Sequence, residues 1–170
     1  SFFQSYNCKN ILIEGVTFKN SPFWTVNPEF CDNVTVTGIS IFNPHSPNTD
    51  GINPSSCTNV HISNCHISVG DDCITIKSGR DADGRKYGKA TENVTITNCT
   101  MLSGHGGVVI GSEMSGGIKK ITISNCVFDG TDRGIRIKAA RGRGGVVEDI
   151  RVDNIVMKNI KEEAIILDLF

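Results

Sequence analysis

A pattern of nine residues recurs six times along this chain. Each copy alternates apolar and polar positions in the manner of a β-strand and holds Gly or Asn at its sixth position. The copies begin at Asn10, Asn33, Asn59, Asn93, Lys120 and Asp149, at intervals of 23, 26, 34, 27 and 29 residues. A period of this length with strand-type alternation predicts a solenoid, in which each copy forms part of one coil.

The sixth position of the repeat holds only residues that tolerate a left-handed backbone. These residues are Gly15, Gly38, Asn64, Asn98, Asn125 and Asn154. We therefore expect a tight turn at this point of each coil, with hydrogen bonds between stacked asparagines. Each unit also carries a second short alternating segment, such as Ile74-Thr75-Ile76. Together these features predict an all-β fold, a parallel β-solenoid of about six coils. An antiparallel sandwich is the alternative, but Asn-Gly hairpin signals are absent.

Two stretches interrupt the repeat. Residues Arg80 to Thr91 contain two glycines and four basic residues, and we predict that they form a loop between coils. Residues 139–145 are predicted to form a second Gly/Arg-rich loop. The chain begins at Ser1 and ends within a strand-like pattern. We interpret residues 1–170 as a single domain that is a piece of a longer one, with the opening and closing coils missing.

Composition limits the classes of partner. The formal net charge is −1, so no general surface for polyanions such as nucleic acids is indicated. No apolar run approaches the ~18 residues of a membrane span. We therefore predict no nucleic-acid partner and no membrane segment, and we expect a monomer.

The seven cysteines follow the repeat. Cys65, Cys99 and Cys126 occupy a position where other units carry Val16 and Ile39. A position that exchanges Cys with Val and Ile is an inward apolar position, so these residues are predicted to be buried thiols. Seven is an odd number for a disulfide framework, and no Cys-x-x-Cys pair is present. We predict no metal and no cofactor.

Aligning the units on their second segment brings acidic residues together. Asp50 and Asp72 then fall in one column, on coils about 4.8 Å apart. Asp71 falls in the column of His105. Asp71 and Asp72 alone would suit a solvated acidic turn, but three clustered carboxylates repel one another without a functional reason. Repulsion also separates their proton affinities, which suits a site that needs one protonated and one ionised carboxylate.

Basic residues extend the same face. If Ile135 and Ile137 point inward, Arg136 and Lys138 point outward on one side of the strand. Lys77 shares the column of Lys138. The combined register of acidic and basic groups favours a catalytic site that acts on an acidic substrate.

Four motifs now become recognisable. Asn48-Thr49-Asp50, Gly70-Asp71-Asp72, Gly104-His105-Gly106 and Arg136-Ile137-Lys138 resemble, in order, the signature motifs of the polygalacturonase family, glycoside hydrolase family 28. The resemblance implies a right-handed parallel β-helix that hydrolyses α-1,4 bonds between galacturonate units of pectin. It also implies a secreted or periplasmic protein, with a cytoplasmic location as the alternative. The substrate-binding tyrosine of the family has no counterpart after Lys138.

The resemblance also implies roles for individual residues. Asp71 would be the general acid, Asp50 and Asp72 would activate the attacking water, and His105 would hold the proton arrangement around Asp71. Asn48, Arg136, Lys138 and Lys77 would bind the substrate, with the basic groups pairing with galacturonate carboxylates. The family inverts configuration, although carboxylates one coil apart would suggest retention by the usual separation rule.

Several alternatives remain at this point. The same fold and chemistry would serve rhamnogalacturonan or xylogalacturonan hydrolysis. A non-catalytic carbohydrate-binding β-helix would bind sugar without cleaving it, and a pectate lyase would require calcium. Endo and exo action are not distinguished, although the insertion Arg80 to Thr91 would favour exo attack if it closed one end of the cleft.

Overall fold

The computed structural model describes all 170 residues, which form sixteen strands and one short helix. The strands are β1 (Phe3–Tyr6), β2 (Lys9–Glu14), β3 (Thr17–Lys19), β4 (Val26–Glu29), β5 (Asp32–Thr37), β6 (Ser40–Asn43), β7 (Thr58–Ser63), β8 (His66–Val69), β9 (Ile74–Ile76), β10 (Thr91–Thr97), β11 (Thr100–Ser103), β12 (Gly106–Ile110), β13 (Ile118–Asp129), β14 (Arg133–Ala139), β15 (Val147–Lys158) and β16 (Ile165–Leu169). The helix is α1 (Asp81–Tyr87).

Every strand pairing is parallel, and the strands form three stacks that follow one another around each coil. The first stack is β2-β5-β7-β10-β13-β15, and the second is β3-β6-β8-β11 followed by the later halves of β13 and β15. The third contains β1, β4, β9, β12, β14 and β16, with an isolated bridge at Ile52 joining β4 to β9. The predicted parallel β-helix of about six coils is confirmed.

The corners have the predicted left-handed backbone. All six residues at the sixth repeat position have φ between 51° and 62°. The residue that begins each copy is also left-handed, with φ between 56° and 58°, so each unit has a second special position that the sequence reading did not identify. The expected asparagine bonding is seen where Asn154 Nδ2 donates to Asn125 Oδ1 at 2.6 Å. A second ladder joins Asn33 Nδ2 to Asn10 Oδ1 at 2.8 Å.

The interior is a single apolar column built from the inward positions of all three stacks. Cys65, Cys99 and Cys126 are buried in it, as predicted, beside isoleucines and valines. All seven cysteines are free thiols, and only Cys8, in the first coil, is exposed. Small branched side chains and thiols suit this interior because the same position must stack on itself every ~4.8 Å.

The prediction for residues Arg80 to Thr91 was wrong in one respect. The segment contains α1, which ends at Gly88 in the left-handed conformation, with φ 57° and its N–H donated to Gly84 O at 2.9 Å. Acidic residues occupy the first turn and basic residues the last, an arrangement that the helix dipole favours. These signals are readable in the sequence, but seven residues are too few for a clear helical periodicity. The α1 helix is neither long nor apolar enough to cross a membrane.

Candidate active site

The third stack positions the acidic residues. Val26, Ile52 and Ile74 lie side by side on successive coils, and Val108 continues the row from Ile74. The residues two places earlier in each coil therefore share a column as well, and it contains both Asp50 and Asp72. This register agrees with the alignment made from the sequence.

Three carboxylates meet at the start of β9. Oxygen atoms of Asp50, Asp71 and Asp72 all lie within 4.8 Å of one another. Asp50 is 3% exposed and Asp72 is 1% exposed, whereas the side chain of Asp71 is 21% exposed. The backbone N–H of Asp72 donates to Asp71 Oδ1 at 2.9 Å, which fixes the orientation of that carboxyl group. Asp71 is therefore the carboxyl group of the three that an entering substrate can reach most easily.

Each carboxylate has a basic neighbour. Lys138 Nζ lies 2.8 Å from Asp72 Oδ2, and His105 Nδ1 lies 3.2 Å from Asp71 Oδ1. Lys77 Nζ lies 3.7 Å from Asp50 Oδ2. A triple of carboxylates is also a ligand set that hard cations accept, but here two ammonium groups already compensate part of its charge.

The proton affinity of Asp50 is unusual. The pKa of Asp50 is raised to about 7, chiefly by burial and also by the nearby charges of Asp71 and Asp72, while Lys77 and a hydrogen bond from Thr75 oppose the rise. The Thr75 hydroxyl donates to Asp50 Oδ2 at 3.2 Å. A carboxyl group with a pKa near neutrality can exchange a proton under ordinary conditions.

Arg136 lies on the same outer face but has a partner within the chain. Its Nη2 donates to Asp168 Oδ2 at 2.6 Å, and its Nε donates to Asp168 Oδ1 at 3.3 Å. This paired hydrogen bond raises the pKa of Arg136 and lowers the pKa of Asp168. The guanidinium group is thus held in a fixed position on β14, two residues before Lys138.

Two cavities lie near this face of the coil. A cavity of about 170 Å³ is lined by Gly70 and His105, the chain neighbour and the basic partner of Asp71, and by Gly104, Asp132 and Lys161 among others, but by none of the three carboxylates. A larger cavity of about 390 Å³ lies between α1 and the first coils and contains none of the three carboxylates. We assign the smaller cavity to the candidate active site because His105, the basic partner of Asp71, lines it, whereas no basic partner of the carboxylates lines the larger one.

The chain resembles known proteins over nearly its whole length. The chain matches the family described as glycosyl hydrolases family 28 over residues 1–169. The chain belongs to glycosyl hydrolases family 28. It is 46% identical over 154 residues to a probable polygalacturonase of Vitis vinifera, with 89% of this chain and 31% of that protein covered. It is 36% identical over 159 residues to the endo-polygalacturonase of Pectobacterium carotovorum subsp. carotovorum, with 93% of this chain and 38% of that protein covered.

A solved structure is also similar. The hyperthermoactive exopolygalacturonase from Thermotoga maritima superposes with a TM-score of 0.96 at 42% identity, covering 98% of this chain and 38% of that one. The family 28 chain spans about a third of the length of these curated relatives.

Most residues that the sequence singled out in this family 28 chain converge on one place. Asp50, Asp71, Asp72, His105 and Lys138 form one contact network. Asn48 is exposed in the turn before Asp50, with a left-handed φ of 55°, and contacts none of these groups. The position of Lys77 was unexpected, because its ammonium group lies among protein groups rather than on the open face.

The sequence reading missed three residues that lie in or next to the candidate site. Trp24 precedes Asp50 by one coil in the same column, and Asp168 pairs with Lys138 in the register of β14 and β16. The alignment that found Asp50 and Asp72 would have revealed both. Glu113, which binds Lys77 at 3.1 Å, lies in the irregular segment after β12, where no repeat register applies.

Proposed function

We propose that the full-length protein hydrolyses α-1,4 bonds between the galacturonate units of pectin, with inversion. The observation that carries this proposal is the cluster of Asp50, Asp71 and Asp72, whose oxygens lie within 4.8 Å of one another beside Lys138 and His105. Membership of family 28 and the similarity to named polygalacturonases support it.

Asp71 is the proposed general acid. Its Oδ1 is occupied by His105 and by the backbone N–H of Asp72, which leaves Oδ2 to carry the proton for the leaving oxygen. Its greater exposure allows contact with the glycosidic oxygen. His105 orients this carboxyl group through the contact of 3.2 Å.

Asp50 and Asp72 are the proposed groups that hold and deprotonate the attacking water. Inverting glycosidases usually separate acid and base by about 6.5–9.5 Å, and retaining ones by about 5–5.5 Å. The close oxygens measured here, within 4.8 Å, would favour retention under that rule. We propose inversion because two carboxylates on adjacent coils can bind one water between them. Proton NMR of the first product distinguishes the two outcomes, since the α-linked substrate yields a β-anomer only on inversion.

Arg136, Lys138 and Asn48 are the proposed substrate-binding residues. The guanidinium and ammonium groups lie in adjoining outward positions of β14 and suit the carboxylates of polygalacturonate. Both groups already have an acidic partner within the chain, Asp168 and Asp72, and a substrate carboxylate would add a further one. Homogalacturonan carries a carboxylate on every sugar unit, so it is preferred to rhamnogalacturonan or xylogalacturonan. A secreted or periplasmic location would bring such a protein to this polymer.

The test is the release of reducing ends from polygalacturonate by the full-length protein, with rhamnogalacturonan and xylogalacturonan assayed in parallel. We expect faster release from polygalacturonate, undiminished by a chelator. Binding without release would instead support a carbohydrate-binding β-helix. An ultraviolet-absorbing unsaturated product that requires calcium would identify a lyase and refute the proposal.

The lengths of the products decide between endo and exo action. The similar proteins include both an exopolygalacturonase and an endo-polygalacturonase. Monomer or dimer released from the start would support exo attack with α1 closing the cleft. A ladder of mixed oligomers would show an open cleft.

A further inference from the structure

The ammonium group of Lys77 is enclosed by protein groups. Its side chain is 9% exposed, and Nζ lies 3.1 Å from Glu113 Oε2, 3.7 Å from Asp50 Oδ2 and 4.3 Å from the centroid of the Trp24 ring. Trp24 is itself stacked on Phe23, with ring centroids 5.1 Å apart. A cation enclosed in this way acts on its fixed neighbours and has little room for a substrate carboxylate.

Glu113 is held next to Lys77 by the backbone. The N–H of Ser78, which follows Lys77, donates to Glu113 O at 2.8 Å, and the N–H of Gly116 donates to Ser78 O at 2.8 Å. These bonds tie the segment after β12 to the end of β9. The carboxylate of Glu113 therefore remains within reach of Lys77 without depending on a flexible loop.

We propose that Glu113 is a positioning residue that competes with Asp50 for the ammonium group of Lys77, and so sets the pH at which Asp50 can accept a proton from the attacking water. This inference rests on the proposed function, in which Asp50 helps to activate that water. Lys77 is then an electrostatic partner of Asp50 instead of a substrate ligand. The bonds made and broken in hydrolysis are unchanged, because Glu113 and Lys77 exchange no atoms with the substrate.

The groups that act on Asp50 come from its own coil's neighbours and from the interior. They are Lys77 on the strand of the next coil, Asp71 and Asp72 in the turn before it, the Thr75 hydroxyl, and the buried Cys73 thiol, with Lys138 acting through Asp72. Lys77 is the cation that directly opposes the repulsion on Asp50. A group that draws this ammonium group away from Asp50 therefore weakens its opposition to the repulsion from Asp71 and Asp72.

The experiment compares the pH profiles of kcat/KM on polygalacturonate for the wild-type full-length protein, Lys77→Met and Glu113→Gln. The acid limb follows the ionisation of the base. Removing the charge of Lys77 is expected to move this limb upward by about 1 to 3 pH units, because an opposite charge within a few ångströms shifts the pKa of a carboxyl group by about that much. Glu113→Gln is expected to move it downward by about 0.5 to 1 unit, because Asp50 then shares Lys77 with no competitor.

Two further variants separate the proposed role from a structural one. Lys77→Arg keeps the positive charge, so the acid limb of its pH profile is expected to lie close to that of the wild type. The double variant Lys77→Met with Glu113→Gln is expected to match Lys77→Met alone, because Glu113 acts through Lys77. The matched control is Lys120→Met, which removes an exposed lysine 3.4 Å from Glu92 and is expected to leave the profile unchanged.

A direct titration keeps this inference distinct from the proposed function. Carboxyl ¹³C NMR of the wild-type protein and Glu113→Gln reports the ionisation of Asp50 without any turnover, and it also serves if Lys77→Met does not fold. A downward shift in Glu113→Gln supports the competition even if no hydrolysis is found, in which case only the proposed function fails. Single variants that shift the acid limb in the same direction, or an unchanged Asp50 titration, would overturn the inference.

Discussion

Asp50 shows how a single residue can take its chemistry from its neighbours. An aspartate in water is ionised above pH ~4, but burial and two adjacent carboxylates raise the pKa of Asp50 to about 7. The sequence revealed the neighbours through their register. It could not reveal that Asp50 is only 3% exposed, because burial depends on side chains supplied by several coils.

The raised pKa predicts how stability depends on pH. The folded state keeps a proton on Asp50 that the unfolded state releases, so this contribution is complete below pH ~4 and is lost as the pH rises through about 7. Asp50→Asn removes the titration. The free energy of unfolding of this variant, relative to wild type, is expected to increase by on the order of 3 kcal/mol between pH 4 and pH 7. Urea unfolding at the two pH values measures it, and an equal difference at both would contradict the assignment.

Asp71→Asn tests the proposed general acid. The amide cannot protonate the leaving oxygen, yet it keeps the size of the side chain and can still accept the N–H of Asp72. We expect kcat to fall by roughly 100-fold to 10,000-fold, the usual contribution of a general acid, with the fold unchanged by circular dichroism. Near-normal turnover would remove Asp71 from the mechanism.

At the scale of elements, the corners determine how strands become coils. Asn98 directly follows β10 with a φ of 54°, and the equivalent residue of every other coil is also left-handed, although Asn125 and Asn154 lie within β13 and β15. This conformation is costly for most residues but accessible to Gly and Asn. The residue types therefore made the turn predictable, whereas the short helix α1 was missed because it belongs to no repeat.

Asn98→Ala is expected to destabilise the protein by about 1 kcal/mol, since alanine is strained in the left-handed region. Asn98→Gly is the matched control and is expected to be close to neutral. Equilibrium unfolding in urea compares the two variants with wild type. Equal losses for Ala and Gly would show that the side-chain amide matters more than the backbone conformation.

At the scale of the whole molecule, one apolar interior holds six of the seven thiols out of solvent. Burial also raises the pKa of Cys57 to about 12, which further suppresses the reactive thiolate. In the native full-length protein, we expect Cys31, Cys57, Cys65, Cys73, Cys99 and Cys126 to resist alkylation until unfolding. Peptide mass spectrometry after brief iodoacetamide treatment measures this at each residue, with Cys8 expected to react if it is exposed. Rapid native labelling of the Cys65, Cys99 and Cys126 column would contradict its burial.

The sequence by itself determined the parallel coil and the register of Asp50, Asp71 and Asp72, because a repeat converts positions along the chain into columns in space. The same logic placed Lys138 in the column of Lys77 and would have found Trp24 and Asp168. The contact between Lys138 and Asp72 crosses columns and was seen only in the structure. Only the tertiary structure decided that Lys77 is enclosed by Glu113 and Trp24, and that Arg136 is paired with Asp168. Those contacts depend on where long side chains turn and on an irregular segment after β12. Register fixes where a backbone lies, but the partner of a flexible cation is chosen by the packing and charge around it.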